Sequence, residues 1–371
     1  MEAVIEKVEA HVYRAPIAVP VANAFGAMTN RPAVFVCVRA SDGTWGWGEV
    51  FCNFPQVGAE HRAHLVRSIF APLLADVSIR ADVVTPLLEE RTRRLAIQCG
   101  EPGPFAQVAA AIDQALWDMA ARRAGLPLWR LLGGSSPKVN VYASGLGPQD
   151  VVATALAKRD EGFRAFKLKV GFGAERDVRN LRDLRAALGD ACTIMTDANQ
   201  AWSAAEARMR VAELAPFAPH WIEEPIPADE PARNWRDLAD SSPVPLAAGE
   251  NIRGREAFED AIDGGWLRFI QPDVGKWGGI SGCRTVAARA LARGIACCPH
   301  WLGGGVGLAA TLHFVAACGT PGSYAEVDAN PNPLRELVCP MTVQNGAVML
   351  GDAPGIGVEP DLDALRRFAA G

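Results

Sequence analysis

The sequence lacks a dense cluster of lysine and arginine residues. Its 371 residues carry 37 Lys and Arg against 42 Asp and Glu, which gives a formal net charge of −5. This balance does not favour binding to nucleic acid or to an anionic membrane surface. We therefore expect small molecules, and neither nucleic acids nor membranes, as the partners of this protein.

Long apolar runs are also missing. No segment approaches the roughly 20 consecutive apolar residues that a membrane-spanning helix needs. Residues 1–16 contain several charged side chains, so they lack the continuous apolar stretch of a secretory signal peptide. We expect a cytoplasmic protein.

Cysteines at the spacing of a metal or redox motif are absent. The nine cysteines are an odd number, and no two of them form a C-x-x-C pair. We interpret them as reduced thiols that fill the core, because free cysteine is commonly buried.

Glycine-rich nucleotide-binding motifs are missing as well. A doubly wound sheet, the main alternative fold, would carry a G-x-G-x-x-G turn after an early strand, and the sequence has none. The glycine-rich run 303–307 lacks the lysine and the serine or threonine of a Walker motif. We interpret this run as a tight turn that gives a ligand close access to the backbone.

The sequence does contain an amino-terminal group of strands followed by helices. Three segments have strand character: 3–13, 33–38 and 45–50. Three segments with helical periodicity follow them: 61–75, 81–97 and 105–124. Gly125 and Pro127 end the last helix. Because the strands and helices are segregated, we predict an α+β domain over residues 1–127.

The pattern changes near residue 138, where short apolar runs begin to alternate with amphipathic stretches. Each run but the last is followed by a helix-like segment, as in repeated βα units. Eight such strands are the number in a TIM barrel, so we predict an α/β fold with a (β/α)-barrel over residues 128–328. The runs are 139–144, 165–170, 193–196, 221–222, 244–248, 267–270, 295–299 and 323–325.

The last segment, residues 329–371, leaves this pattern. Apolar stretches flank Asn345 and Gly346, a pair that favours a two-residue β-hairpin turn. We expect this segment to pack back on the amino-terminal domain and complete it.

A polar or charged side chain closes most of the apolar runs, and successive members are one βα unit apart. A single charge after a strand is usually only solvated. Seven such residues at regular spacing predict that all of them lie on one rim of a barrel. Barrel enzymes have their active sites at the carboxyl-terminal rim. The seven are Lys167, Asp197, Glu223, Glu250, Asp273, His300 and Glu326.

Three of these residues predict a metal site. Asp197, Glu223 and Glu250 supply anionic oxygens without an accompanying cysteine or histidine, which favours a hard cation. Converging carboxylates would otherwise repel one another and raise each other's pKa. We therefore predict Mg²⁺ as the cofactor.

Two groups are candidates for acid and base. Lys167 and Lys169 lie two residues apart, so both face the barrel mouth. We expect their repulsion, burial and a nearby metal to lower the pKa of one lysine towards that of a general base. Asp273 lies one unit before His300, and its carboxylate would fix the imidazole tautomer and raise its basicity.

Other residues around the mouth carry weaker signals. Trp301, beside His300, is predicted to line the pocket. The remaining histidines, at positions 11, 61, 64, 220 and 313, are interpreted as structural or surface residues. The loop 21–30 has few strongly polar side chains, so a smaller or partly apolar substrate fits if it covers the pocket. Its small and apolar members are Ala22, Ala24, Phe25, Ala27 and Met28.

Taken together, these motifs resemble the enolase superfamily and, within it, the mandelate racemase subgroup. The resemblance covers nearly the whole chain. The muconate-lactonising subgroup would carry a lysine on the sixth strand, where this chain has Asp273. The motifs are Lys167-Leu168-Lys169, Asp197-Ala198-Asn199, Glu223-Glu224-Pro225, Gly249-Glu250-Asn251, Gln271-Pro272-Asp273, Pro299-His300 and Glu326.

The resemblance implies a role for each residue of the rim. It implies that the three carboxylates hold Mg²⁺ below an amino-terminal capping domain. Lys169 would be one base, and His300 paired with Asp273 would be the acid or base on the opposite face of the substrate. Lys167 would contact the substrate carboxylate, Glu326 would donate a hydrogen bond to it, and Asn199 would lie beside the metal.

The implied chemistry is removal of the proton next to a carboxylate. Dehydration of a sugar acid to a 2-keto-3-deoxy acid is the reaction we favour. A racemase or epimerase of a 2-hydroxy acid is the alternative, and a catalytically silent barrel that binds a carboxylate is a third. The resemblance also implies a homo-oligomer, as large as an octamer.

Overall fold

The computed structural model describes residues 3–23 and 25–370, and for Ala22 and Asn23 it describes the backbone only. Ala24, one of the small residues of segment 21–30, lies outside the described residues. The strands are β1 (Ile5–Asn23), β2 (Gly26–Ala40), β3 (Trp45–Val50), β4 (Lys138–Leu146), β5 (Ala165–Lys169), β6 (Thr193–Asp197), β7 (Ile222–Glu223), β8 (Leu246–Ala248), β9 (Phe269–Ile270), β10 (Ala296–Cys297), β11 (Ala325–Asp328) and β12 (Ala347–Met349).

The helices are α1 (Gly58–Leu65), α2 (Ala71–Leu74), α3 (Ala81–Gln98), α4 (Pro102–Ala124), α5 (Leu128–Leu131), α6 (Val151–Asp160), α7 (Ala174–Leu188), α8 (Ala204–Leu214), α9 (Ala232–Ser241), α10 (Arg255–Asp263), α11 (Gly279–Ala292), α12 (Gly305–Cys318), α13 (Pro333–Glu336) and α14 (Leu362–Leu365). Among the described residues, none of these helices combines the length and the apolar character needed to cross a bilayer.

The amino-terminal domain is built on a three-stranded antiparallel sheet in the order β1-β2-β3. Alternation along β2 decides what each face covers, because successive side chains of a strand point to opposite faces. Val34 and Val36 pack in the core of this domain, whereas Phe35 and Cys37 pack in the core that continues into the barrel. The sheet is therefore the wall between the two domains.

Helix α4 lies directly on this sheet. A Cβ at Gly48 of β3 would lie 1.9 Å from the carbonyl oxygen of Ala111 in α4, so only glycine permits this approach. Gln114 of the same helix donates hydrogen bonds from Nε2 to the carbonyl oxygens of Glu49, at 3.1 Å, and Val274, at 2.8 Å. Helix α4 is thus bonded to both domains.

The second domain is a barrel of eight parallel strands in the order β10-β9-β8-β7-β6-β5-β4-β11. A helix of at least nine residues follows every barrel strand except β11, which is followed only by the four-residue α13, so the repeat is (β/α)₇β and the predicted barrel is confirmed. In the described part of the chain no ladder joins β10 to β11, so the parallel sheet is curled and not closed by hydrogen bonds. A separate buried cluster fills its interior, with Tyr142, Met195, Trp221 and Phe269 as the large members.

The carboxyl-terminal segment is divided between the two domains. Asn345 and Gly346 have φ of 48° and 77°, as the predicted hairpin turn requires. Strand β12 then pairs with the start of β4, because these residues of β4 precede its pairing with β5 and leave backbone groups free. Helix α13 contacts β1 and β2 of the amino-terminal domain, and at the end of the segment Ala370 N–H donates to Val12 O at 2.9 Å. The segment therefore contacts the amino-terminal domain near its beginning and at its end, whereas β12 pairs with the barrel.

Segment 21–30 forms the end of a β-hairpin. Strands β1 and β2 resume pairing after an irregularity that follows Pro16, and Val21 pairs with Met28. The prediction of a loop was therefore wrong for this segment. The ring of Phe25 lies 6.3 Å from that of Phe54, just beyond β3.

Candidate active site

The rim residues predicted from the sequence meet at the carboxyl-terminal ends of the barrel strands. Lys169 ends β5 and is the register partner of Asp197, which ends β6. Asp197 is in turn the partner of Glu223, which ends β7. Parallel strands in register bring these ends together, and side-chain contacts extend the cluster to Glu250 and His300.

Lys167 is buried beneath the carboxylates. Its Nζ lies 2.7 Å from Glu223 Oε1, 2.8 Å from Glu326 Oε1 and 5.4 Å from the ring centroid of Tyr142. Burial alone would lower the pKa of this ammonium, but Glu223 and Glu326 outweigh it and raise the pKa well above its ordinary value. Lys167 is therefore a fixed positive charge.

Lys169 is the second ammonium of the site. Its Nζ lies 2.5 Å from Asp197 Oδ2 and 2.9 Å from Asn199 Oδ1. Burial and repulsion from Lys167 lower its pKa, but Asp197 and its neighbouring carboxylates outweigh both effects and raise it. Among the groups of the chain alone, the carboxylates therefore outweigh the repulsion between the two ammonium groups. The expected lowering of the pKa of one lysine stays a prediction, because it includes a metal ion that would neutralise these carboxylates.

The three predicted metal ligands lie at the ends of adjoining strands. Each of them is paired with a cationic side chain: Asp197 with Lys169, Glu223 with Lys167, and Glu250 with His300. Within residues 3–23 and 25–370, no group of three or more His, Cys, Asp or Glu side chains has the spacing of a metal site. The cations of the chain hold the carboxylates in these positions.

The donor set nevertheless fits a hard divalent cation. It consists only of carboxylate oxygens, the ligands that Mg²⁺ prefers, and all three side chains are buried. Burial, followed by repulsion from Asp197, raises the pKa of Glu223 to about 8. A cation relieves repulsion of this kind, so the chemistry of the cluster supports the predicted site.

His300 is held between two carboxylates. Its Nδ1 lies 2.5 Å from Asp273 Oδ2, and its Nε2 lies 2.8 Å from Glu250 Oε2. Asp273 is fixed by the backbone N–H of Gly275, at 2.7 Å. Burial lowers the pKa of the imidazole, but Glu250, Glu326 and the hydrogen bond to Asp273 raise it to about 10. This direction agrees with the predicted gain in basicity.

Glu326 accepts hydrogen bonds from three groups. They are the hydroxyl of Ser144, the backbone N–H of Trp301 at 3.1 Å and the ammonium of Lys167. Burial raises the pKa of Glu326, but Lys167 and His300 outweigh it and hold the pKa below its ordinary value. The predicted role as a donor therefore requires a proton that these neighbours disfavour.

The ring of Trp301 is buried and does not face the mouth. Its Nε1 donates to the carbonyl oxygen of Gly304 at 3.1 Å, and a Cβ at Gly307 would lie 2.0 Å from the ring. Only the backbone N–H of Trp301 reaches the site, at Glu326. The run 303–307 therefore makes room for this indole, which corrects its interpretation as an access point for a ligand.

Three polar residues of the site were not predicted as site residues. Gln271 donates from Nε2 to Glu223 Oε2 at 2.6 Å. Asn251 donates from Nδ2 to Glu224 Oε2 and to Glu250 Oε1, both at 2.9 Å. Glu224 and Gln271 directly follow β7 and β9, and Asn251 lies beside Glu250, three residues after β8, so the same strand-end signal could have identified all three.

Lys276 was also missed, and no signal in the sequence marks it. Its Nζ lies 3.4 Å from Glu250 Oε1 and 3.3 Å from Asn251 Oδ1. It also lies 4.3 Å from the ring centroid of Phe51, which is 6.1 Å from the imidazole of His300. Phe51 follows β3, so the amino-terminal domain supplies one wall of the site.

Comparison with family models identifies both domains. Residues 7–133 match the amino-terminal domain of mandelate racemase and muconate lactonizing enzyme, and residues 150–364 match the enolase C-terminal domain-like family.

Characterised relatives match almost the whole chain. D-galactarolactone cycloisomerase of Agrobacterium fabrum is 32% identical over 98% of this chain and 98% of its own. 3,6-Anhydro-alpha-L-galactonate cycloisomerase of Streptomyces coelicolor is 33% identical over 99% of this chain and 100% of its own. D-galactonate dehydratase of Ralstonia pickettii is 33% identical over 88% of both chains.

Solved structures give the same assignment. A mandelate racemase/muconate lactonizing enzyme of Bordetella bronchiseptica is 49% identical, with a TM-score of 0.94 and 99% of both chains covered. A racemase of Streptomyces coelicolor with bound magnesium is 32% identical, with a TM-score of 0.89 over 99% of this chain and 100% of its own. The chain therefore belongs to the mandelate racemase/muconate lactonizing enzyme family of the enolase superfamily, as its motifs predicted.

Proposed function

We propose that the protein is a Mg²⁺-dependent enzyme that removes the proton next to a substrate carboxylate and then eliminates water from a sugar acid. The observation that carries this proposal is the placement of Lys169 and His300. Lys169 ends β5, and His300 follows β10. Four strands separate β5 from β10 in the sheet, and the three carboxylates lie between Lys169 and His300. Two proton-exchanging groups on opposite sides of one site suit removal and delivery of protons at two faces.

Asp197, Glu223 and Glu250 would hold the metal ion. When bound, Mg²⁺ would stabilise the second negative charge that the substrate carboxylate acquires as the proton leaves. Lys167 would contribute a further positive charge, which its burial among carboxylates keeps fixed.

We also propose that the amino-terminal domain ends at residue 127 and that the barrel ends at residue 328.

The chain's own groups would carry the protons. Lys169 Nζ would exchange a proton with one face of the substrate, and His300 Nε2 with the other. Asp273 bonds to Nδ1, and Nε2 lies 2.8 Å from Glu250 Oε2, so Nε2 would face the substrate when Glu250 holds the metal ion. After the first proton is removed, His300 would protonate the hydroxyl on the next carbon, whose C–O bond breaks to release water. The product would be a 2-keto-3-deoxy acid.

The cycloisomerases among the relatives favour a second candidate reaction. If the oxygen on the next carbon belongs to a ring, its C–O bond can break by the same elimination. The ring oxygen then stays attached elsewhere in the molecule, so the product is an isomer of the substrate. Near-complete coverage of two cycloisomerases supports this candidate. A racemase would return a proton to the opposite face without any elimination.

A library screen in deuterium oxide tests the proposal. Sugar acids, their lactones and 2-hydroxy acids would be incubated with Mg²⁺, while keto acid formation and deuterium at the 2-carbon are followed. We expect keto acid from an open sugar acid. Keto acid from a lactone or anhydro acid alone would favour cycloisomerisation, and deuterium without keto acid would favour a racemase. No change in any acid would contradict the proposal and leave a silent carboxylate-binding barrel.

Three variants control the screen. We expect Lys169→Met and His300→Asn to abolish keto acid formation, whereas Lys158→Met, on the surface of α6, keeps it. Removal of Mg²⁺ by a chelator is expected to stop the reaction, and added Mg²⁺ to restore it.

We also propose that the protein is a cytoplasmic homo-oligomer, with an octamer as the first size to test. Exposed apolar side chains on two helices support association: Val83, Leu95 and Ile97 on α3, and Leu291 on α11. Light scattering coupled to size-exclusion chromatography measures the assembly. A single species with the mass of one chain would contradict it.

A further inference from the structure

An ion pair between the two domains lies beside the proposed active site. Arg31 is on β2, and its Nη2 donates to Asp328 Oδ2 on β11. Each side chain is only 3% exposed. A buried pair of this kind fixes the hairpin of the amino-terminal domain against the last strand of the barrel.

The position of Asp328 places this pair at the mouth of the barrel. Asp328 lies two residues after Glu326, so both side chains share a face of β11, and Asp328 is nearer the carboxyl-terminal end. Its register partner on β4 is Ser144, whose hydroxyl donates to Glu326. Arg31 therefore lies above the residue that is proposed to meet the substrate carboxylate.

One nitrogen of Arg31 has no partner. Nη1 is buried, and within residues 3–23 and 25–370 it makes no hydrogen bond. Asp328 is not free to satisfy it, because its Oδ1 already accepts from the backbone N–H of Asn330 at 3.0 Å and from the Asn330 amide at 2.8 Å. A buried charged donor without an acceptor is costly, and native structures rarely keep one without a function.

We propose that Arg31 Nη1 donates a hydrogen bond to an oxygen at the end of the substrate remote from the reacting carboxylate. This proposal rests on the proposed function and narrows its substrate class. The substrate would carry a polar acceptor at that end, either a hydroxyl of an aldonic acid or the second carboxylate of an aldaric acid. An acid with an apolar remote end would leave Nη1 unpaired.

A purely structural role does not account for this arrangement. The bond from Nη2 to Asp328 is enough to fix the hairpin to β11. Arg335 also approaches Asp328, with its Nη1 2.6 Å from the backbone carbonyl oxygen of Asp328. Neither contact uses Arg31 Nη1, so the free donor is available for a ligand.

The test compares a sugar acid with its analogue that lacks the terminal hydroxyl or carboxylate. For the wild type, we expect kcat/KM to be about 10- to 100-fold higher for the complete acid, the usual effect of leaving a buried donor unpaired. Arg31→Lys keeps a positive charge for Asp328 but lacks the second guanidinium nitrogen. In this variant we expect the ratio to fall towards one, with the loss confined to the complete acid. Aldonic and aldaric acids, tested in parallel, distinguish the two acceptors.

Arg14→Lys is the matched control. Arg14 lies on the neighbouring strand β1, where its guanidinium bonds to Glu60 at 2.6 Å and Asn30 at 2.9 Å. It holds the same hairpin, and we expect its substitution to leave the substrate ratio unchanged. Equal loss for both acids in Arg31→Lys, or an unchanged ratio, would overturn the proposal. A ratio near one in the wild type would overturn it too.

A binding measurement tests the role of Arg31 independently of the proposed reaction. The same pair of acids would be titrated calorimetrically into Lys169→Met, alone and combined with Arg31→Lys. Tighter binding of the complete acid that is lost with Arg31→Lys supports the role of Arg31, even if the wild type exchanges no proton. Proton exchange without any difference in binding or in kcat/KM supports the enzyme and overturns the role of Arg31.

Discussion

At the scale of single residues, the site is dominated by charges that are screened from water. Lys167 contacts Glu223, Glu326 and, at 3.4 Å, Asp197. Removing one partner from a buried ionic cluster leaves the others uncompensated, which costs about 3–5 kcal/mol. We predict that Lys167→Met lowers the free energy of unfolding by about this amount in urea titrations followed by tryptophan fluorescence.

Lys158→Met is the control for this prediction. Lys158 pairs with Glu161 on the surface, at 2.9 Å, and exposed pairs contribute only about 0–1 kcal/mol. Because Lys167→Met leaves Glu223 without its cation, Mg²⁺ should restore part of the stability of this variant. Similar losses for the two variants would show that the buried cluster is not held together by Lys167.

The sequence predicted where the charged residues lie better than how they behave. Strand-end spacing identified Lys167, Asp197 and His300 because each lies in or just after the carboxyl-terminal part of a strand, one βα unit or a multiple of it apart. Lys276 lies three residues beyond Asp273, in a turn whose geometry has no period, so it could not be found. The carboxylates raise the pKa of both Lys167 and Lys169, so the predicted lowering of one lysine pKa depends on the metal ion that would neutralise them.

At the scale of elements, close approach of α4 to β3 positions the wall of the site. We predict that Gly48→Ala destabilises the protein by about 1–3 kcal/mol, because the added methyl group would meet the Ala111 carbonyl at 1.9 Å. The measurement is the shift of the urea midpoint. Gly351→Ala is the control, because a Cβ there meets no atom within 4 Å. Equal shifts would mean that the loss of glycine itself, and not the contact with α4, is responsible.

The barrel strands could be predicted, whereas the end of the amino-terminal hairpin could not. Each barrel strand is a short apolar run bounded by polar residues, and that pattern is local. Strand β1 instead continues past Pro16 and Pro20, residues that argue against a strand interior, and it resumes pairing only at Val21. Pairing with β2 determines the conformation of this part of β1. The sequence of β1 alone does not show which strand it pairs with.

At the scale of the whole molecule, the site depends on how the two domains dock. The buried carboxylate of Glu49, on β3, accepts hydrogen bonds from the backbone N–H groups of Gly304, at 2.5 Å, and Gly307, at 2.9 Å. These glycines lie at the start of α12, just after His300. The sequence predicted both domains but not this contact, because residues so far apart in the chain share no periodic pattern.

The pH dependence of stability follows from a second contact of α12. His313 is buried, and its Nδ1 accepts a hydrogen bond from the backbone N–H of Trp129 at 3.0 Å. Burial lowers the pKa of His313 to about 4, from an ordinary value of 6.5. The folded protein therefore favours the neutral ring. The contribution of His313 to the free energy of unfolding is fully present above pH 6.5, and it is lost as the pH falls through 4.

We predict that His313→Gln removes this component of the pH dependence. Each pH unit between 6.5 and 4 corresponds to about 1.4 kcal/mol for one such group. Urea titrations at pH 7 and pH 5 should therefore show the wild type losing about 2 kcal/mol more than the variant. Buried carboxylates such as Asp118 also titrate in this range, but they are common to both proteins and cancel in the difference. Parallel losses in the two proteins would mean that His313 can take up a proton without opening the contact between α12 and α5.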